Sequence, residues 1–208
     1  MAQNDIFRNS PLFVMRFDEA IELARMDFPE PKYEWDKQDS ETLGEMTRML
    51  IHAGLLEDAW EISHSIVAPS TKARALVDLA LAMADREPAK SRTLIDEVRD
   101  LAQFTELPDR QSSILYQTVR GLAWIGRIND AEMVAGKIVY HDFRAVALQY
   151  IAEVVRKTDP SRADELLRQA LAEIHLISDP SLRHRELMNL TDVIAQVHGL
   201  RRGLEVLE

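Results

Sequence analysis

The sequence predicts an all-α chain of stacked helical hairpins, an α-solenoid, and three observations carry the prediction. Only seven Gly and eight Pro interrupt 208 residues in which the helix formers Leu, Ala, Glu and Arg recur. Apolar residues keep the three-and-four spacing of a helix face, as in Ala73, Leu76, Ala80 and Met83, and again in Ala145, Leu148, Ala152 and Val155. The chain also repeats itself: shifted by 72 positions, residues 54–125 match 126–197 at fourteen places without an insertion.

The matches fall where a repeated backbone restricts choice. Turn residues pair with turn residues (Gly54/Gly126, Pro88/Pro160, Pro108/Pro180), and small or apolar residues pair likewise (Ala59/Ala131, Ile66/Ile138, Ala80/Ala152, Leu94/Leu166). Each copy is too long for one hairpin and reads as two, giving a unit of about 36 residues.

This places helices at 11–26, 40–53, 56–67, 71–85, 89–103, 110–125, 128–140, 142–157, 161–176, 181–197 and, cut short, 200–207. Pro69-Ser70, Pro108-Asp109, His141-Asp142 and Pro180-Ser181 each set an N-cap residue before a periodic segment. Odd and even helices alternate as the arms of hairpins. Asp18-Glu-Ala-Ile-Glu-Leu-Ala24 echoes Glu57-Asp-Ala-Trp-Glu-Ile-Ser63, so the first helix reads as an outer one without its partner. The chain is expected to be one domain, 1–208, in which residues 1–39 form the first helix and a linker and 40–208 form the tandem hairpins. The linker, 27–39, carries two Pro and gathers Phe28, Tyr33 and Trp35 among acids; it reads either as a connection packed on its neighbours or as a strap over a groove.

Charge narrows the function. The net charge is −10, and acids outnumber bases in each of 1–53, 54–125 and 126–208. A surface that neutralises many phosphates needs the opposite balance, so neither nucleic acid nor an anionic membrane is expected as a partner. With no Cys, disulfides, thiolate metal sites and cysteine nucleophiles are excluded. The start lacks a basic segment followed by an apolar run, and no stretch approaches the ~18 apolar residues of a membrane span. A soluble, cytoplasmic protein is expected.

Chemistry is not written in the sequence. Gly-x-Gly-x-x-Gly, Gly-Lys-Ser/Thr, Gly-x-Ser-x-Gly and His-Glu-x-x-His are all missing. Glu61-Ile-Ser-His64 has the Glu-x-x-His spacing of di-iron bundles, but such a site needs a second copy, and none occurs. Glu61 and His64 therefore read as a polar helix face. His141, at a hairpin boundary, reads as a capping or packing residue. Carboxylate pairs such as Glu57-Asp58 and Asp164-Glu165 open helices, where negative charge suits the helix dipole. No catalytic residue, metal or cofactor is expected.

Two stretches carry a family resemblance. Gly54-Leu-Leu-Glu-Asp-Ala59-Trp and Gly126-Arg-Ile-Asn-Asp-Ala131-Glu resemble the turn and opening of the second helix in tetratricopeptide repeats, where Gly permits the turn and Ala lets two helices approach. The resemblance covers residues 11–208. The first-helix Trp-x-x-Leu-Gly-x-x-Tyr pattern of that family is absent, replaced by Ala-Leu-rich text such as Arg74-Ala-Leu-Val-Asp-Leu-Ala80. The chain is thus tetratricopeptide-like, with HEAT-type arrays open as well. The resemblance implies a right-handed α-solenoid of about five stacked hairpins whose usual work is to hold other proteins or peptides in a curved groove.

In such an array equivalent positions of the first helices line up. With Leu115, Val119 and Leu122 as the core stripe of helix 110–125, Tyr116, Arg120 and Trp124 fall opposite it, and Arg and large aromatics are what binding hot spots favour. Carried along the repeat, the strip continues through Val77, Leu81 and Asp85, through Gln149, Glu153 and Lys157, and through Met188, Asp192 and Gln196. Tyr116 and Trp124 also suit packing against an adjacent hairpin. Basic residues near first-helix starts (Lys72, Arg74, Arg110, Arg144, Arg183, Arg185) oppose the helix dipole, so something must offset them. They read either as partners of Asp109, Asp142 and Asp179 or as a clamp for a ligand's carboxylates.

The expected function is a protein-binding scaffold, adaptor or chaperone-like module for a partner's peptide or helix, with self-association through the terminal hairpins left open. A small-molecule sensor or enzyme would need a buried, unpaired cluster of polar groups between hairpins. A helical-repeat RNA binder would need the positive surface that the charge balance denies it.

Overall fold

The computed structural model describes residues 35–198, with side chains from Asp39 to Ala195. The expected helices at 11–26 and 200–207, the linker up to 34 and the terminal hairpins' self-association lie outside the described residues. All regular structure among the described residues is α-helical: α1 (Trp35–His52), α2 (Leu56–Ser65), α3 (Pro69–Met83), α4 (Pro88–Gln103), α5 (Pro108–Trp124), α6 (Ile128–Ala135), α7 (His141–Val155), α8 (Pro160–His175) and α9 (Pro180–His198). No helix among them is long and apolar enough to cross a membrane.

The chain divides into two compact units, one up to Leu94 and one from Ile95. In the first, α1 packs on α2 and α3, and α2 packs on α3. Its interior holds Leu50, Ala59, Ile62, Leu76, Leu79 and Met83. Gly44 of α1 allows the close approach of α3, because a Cβ there would stand 2.8 Å from Thr71 Cγ2. Polar ties join the same two helices: Thr71 Oγ1 and Arg74 each donate to Glu41, both at 3.0 Å.

In the second unit α5, α7 and α9 lie side by side, α5 on α7 and α7 on α9. The intervening helices pack on the layer they interrupt: α6 touches α5 and α7, and α8 touches α7 and α9. Ile114, Val119, Leu122, Ile138, Ile151, Leu166, Ile174 and Leu190 fill the interior. This is the contact pattern of a helical repeat, in which each helix is buried by its neighbours in sequence.

The duplication is visible in backbone detail. Gly54 and Gly126 both take positive φ, 74° and 79°. Each closes the same helix ending: Leu55 N–H donates to Leu50 and Gly54 N–H to Ile51, just as Arg127 donates to Leu122 and Gly126 to Ala123. These are paired 6→1 and 5→2 bonds, a Schellman ending with Gly at its left-handed position. The turns after α3 and α7 repeat another pattern, with Glu87 N–H on Met83 and Asp159 N–H on Val155.

Two boundaries differ from the sequence reading by five residues each. α1 starts at Trp35 instead of 40, since Trp-Asp-Lys-Gln-Asp holds no Pro or Gly to break a helix. α6 stops at Ala135, not 140, because Gly136 follows and Ile138-Val-Tyr140 favours extended backbone. The capping expectation is also corrected. Pro69, Pro108, His141 and Pro180 are themselves the first helical residues, so Ser70, Asp109, Asp142 and Ser181 sit one place inside. Ala68, Leu107 and Tyr140 take the cap position without a side-chain bond, and at Pro69 and Pro108 proline's fixed φ does the work of starting the helix. True side-chain caps come from Asp159, which accepts from Arg162 N–H, and Asp179, which accepts from the N–H groups of Ser181 and Leu182.

Candidate functional site

The accessible face of the second unit's first helices is built by exclusion. Helix α7 is flanked by α5, α6, α8 and α9, so most of its circumference is covered. At 100° per residue, its uncovered arc holds Val146, Tyr150, Glu153 and Val154. On α5 the corresponding arc holds Tyr116 and Arg120, both half-buried, and ends in Trp124, which is 55% exposed. The guanidinium of Arg120 lies over the ring of Tyr150, 5.9 Å from its centroid, and donates to Gln117 Oε1 at 2.7 Å. Arg120 is thereby aimed along the face by two neighbours.

The predicted strip is therefore partly corrected. Tyr116, Arg120 and Trp124 share the α5 face and Glu153 lies on the α7 face, while Lys157 falls in the turn after α7. Gln149 does not, being 4% exposed, and its Nε2 has no hydrogen-bond partner among the described residues. In the first unit Val77 is wholly buried and Leu81 half-buried. A helix packed on more than one side buries a wider arc than a single stripe, and the strip as drawn was set one residue too early: Asp78 and Tyr150, not Val77 and Gln149, reach the surface. Tyr150 is the functional candidate that the sequence reading missed. A wider assumed core arc for a repeat helix would have found it.

The basic residues near first-helix starts have another use. Counted from the first residue of their helices, Lys72, Gln111, Arg144 and Arg183 occupy the same fourth position. Each reaches back to a carbonyl in the last turn of the preceding helix or in the segment just after it: Lys72 Nζ to His64 at 3.4 Å, Gln111 Nε2 to Ala102 at 3.1 Å, Arg144 Nε to Ile138 at 2.8 Å and Arg183 Nη1 to Ile177 at 3.1 Å. Terminal carbonyls carry the negative end of the helix dipole. Lys72 thus offsets a helix-terminal carbonyl, and Arg144 and Arg183 tie down the chain that leaves the preceding helix. Arg74 pairs with Glu41, Arg185 pairs with Glu186, and Arg110 is exposed. The offsetting acids are thus Glu41 for Arg74, Glu173 for Arg144, and Glu186 together with the expected Asp179 for Arg185.

Glu173 of α8 holds a cluster. It accepts from His141 Nδ1 at 2.7 Å and from Arg144 Nη1 at 2.9 Å, with its side chain 17% exposed. Burial pushes its carboxyl up, but the bonds from His141 and Arg144, with the Arg144 charge, outweigh burial and hold it below the ordinary range. Beside it lies an open groove of about 390 Å3 lined by Glu132, Ala135, Gly136, Arg144, Leu148, Gln169, Ala172 and Glu173. Glu132 of that lining accepts from Arg162, which also donates to Asn129, at 2.6 Å each.

Glu61 is exposed, while His64 Nδ1 lies 2.8 Å from Trp60 O and its ring stacks on the Trp60 ring at 4.5 Å. No group of three or more metal-ligating side chains is placed to hold an ion among the described residues.

No family model matches the chain, and neither a curated protein nor a solved structure matches it significantly.

Proposed function

We propose that the chain is a protein-interaction scaffold, an adaptor or chaperone-like module, that receives a partner's peptide or helix on the accessible face of its first helices. The proposal includes a tetratricopeptide-like, right-handed α-solenoid of about five hairpins, working in the cytoplasm. One observation carries the reading: Arg120 lies over the ring of Tyr150 on a face that ends in the exposed indole of Trp124. Arg, Tyr and Trp dominate contact energies at protein interfaces. Here they converge on the side of the layer that the intervening helices leave open, where core packing does not call for them.

The other readings gain less. A carboxylate clamp would need free cations, yet Arg74 and Arg144 are held by carboxylates and Lys72 and Arg183 by carbonyls. An RNA-binding role meets the same acidic balance as before.

The test is affinity capture from the native source with partners identified by mass spectrometry, comparing wild type with Trp124→Ala and Arg120→Glu. A partner held by wild type and lost from both variants, with unchanged far-UV circular dichroism, supports this face. Retention by both variants sinks it.

A further inference from the structure

The 72-residue shift runs back into α1. Applied there, it sets Ser40, Leu50 and Gly54 on Ser112, Leu122 and Gly126, and both serines and both leucines are buried. α1 and α5 are therefore equivalent helices, each turned the same way into its neighbours. They differ on one side. In α5, Ile114 and Thr118 are wholly buried, and Gly121 lies against Ile95 of α4. At the same three places α1 carries Thr42, which is exposed, Met46, which is half-buried, and Met49, which is 65% exposed.

On α5 this side meets the second helix that comes just before it, α4. The described residues begin with α1, so a helix that does the same for α1 comes either from residues 1–34 or from another molecule. The sequence favours the first. Second helices turn one spacing inward, Ala59, Ile62 and Ser63 in α2 and Ser91, Leu94 and Ile95 in α4, all six buried. The expected helix at 11–26 holds the same spacing in Ala20, Leu23 and Ala24, behind the acids Asp18-Glu19, as α2 has Glu57-Asp58.

Size and reach agree. Ala24 counts to the place of Ile95, and Met49 counts to the place of Gly121. The large and the small residue have changed sides: Gly121 receives Ile95 in one pair, and Ala24 can receive Met49 in the other. Only residues 27–34 separate the segment from Trp35, where α1 begins. A tether that short gives the segment an effective concentration that a separate molecule does not match. Covering Met46 and Met49 supplies the apolar driving force.

We infer that residues 11–26 of the same chain dock on the open side of α1, as α4 docks on α5, with Ala24 against Met49. The docked segment closes the first end of the first unit and keeps that side of α1 from a second copy of the chain. It is separate from the contact face of the second unit, so either reading can fail without the other.

The chain has no Cys, so an engineered pair reports without background. In the full chain, Ala24→Cys with Met49→Cys should oxidise to a bond within one chain, read as a faster-migrating monomer on a non-reducing gel. That bond should form about tenfold faster than the one between Ala24→Cys and Glu61→Cys, the latter on the exposed side of α2. Equal rates for the two pairs, or no bond in either, overturn the inference. So does a bond that joins two chains, which would give this side of α1 to a second copy. A second measurement needs no thiol. With methionine methyls labelled with 13C, Ala20→Arg should shift the signals of Met46 and Met49 and leave those of Met133 and Met188, in the second unit, in place. Unmoved Met46 and Met49 signals overturn the inference as well.

Discussion

Gly54 and Gly126, 72 residues apart, hold the same left-handed backbone, φ 74° and 79°, at the same place in the same helix ending. A Cβ built on Gly126 meets nothing within 4 Å, so only the backbone demands glycine there. Gly126→Ala should cost about 1–2 kcal/mol, and Gly126→Asn less, since Asn visits this region more readily. In urea the midpoint should fall with the slope unchanged; equal midpoints for Ala and wild type would mean that the turn is not held by its conformation.

Gly121 is glycine for a different reason. It lies in mid-helix with a Cβ direction that ends 2.8 Å from Ile95 Cγ1, and both residues are buried. Gly121→Ala should destabilise by about 1–3 kcal/mol through overpacking. Ile95→Ala, which removes the obstructing atoms, should cost about 2–5 kcal/mol alone yet make Gly121→Ala nearly harmless. A double-mutant cycle measures this coupling, and additive losses would show that the contact is not the cause.

Much of this was legible because the duplicated residues answer to backbone and close packing. Gly54, Gly126, Pro108 and Pro180 fix turns and helix starts, and Ala59, Ala73, Ala80 and their copies at 131, 145 and 152 mark close approach of helices. What was not legible depends on how many neighbours a helix has. A single stripe on helix 110–125 put Val77 and Gln149 on the surface, but α7 has four neighbours and buries Gln149. Similarly, Ser70 and Asp109 look like N-caps in one dimension, because a Pro before a cap and a Pro at the first helical position read alike. The Glu173 cluster joins His141 to a residue 32 positions on, and nothing local in the sequence announces it.

Gln149 gives a test in which stability should rise. Its Nε2 is buried without a partner among the described residues, and its counterpart in the other copy, Val77, is apolar and wholly buried. Gln149→Met removes an unsatisfied donor at similar volume, so unfolding free energy should increase by about 1 kcal/mol. Partner capture should not change. Loss of capture would return Gln149 to the contact face.

Glu173 should make the second unit acid-sensitive. Its folded-state pKa lies below the ordinary value of 4.5 because His141 and Arg144 bind the carboxylate, so the ionised form is favoured by folding. The resulting stability is fully present above that ordinary value and is lost as pH falls through the depressed folded-state value. Glu173→Gln should cost about 1–2 kcal/mol at neutral pH. It should also flatten the fall in stability on the acid side, where wild type loses its advantage. Parallel stability profiles for the two proteins would show that Glu173 does not carry the dependence.

Tyr150 distinguishes a contact face from ordinary surface. Its ring receives Arg120 at 5.9 Å, near the outer limit of a cation–π contact, so Tyr150→Leu should cost only about 0.5–1 kcal/mol of stability. Tyr150→Phe keeps the ring and should hold Arg120 in place. If the face binds a partner, Tyr150→Leu should weaken binding by about tenfold, out of proportion to its effect on folding, while Tyr150→Phe stays close to wild type. Titration of the captured partner against the two variants reads the difference. Equal loss in both would assign the effect to the hydroxyl, and no loss in either would confine the Arg120–Tyr150 contact to joining α5 to α7.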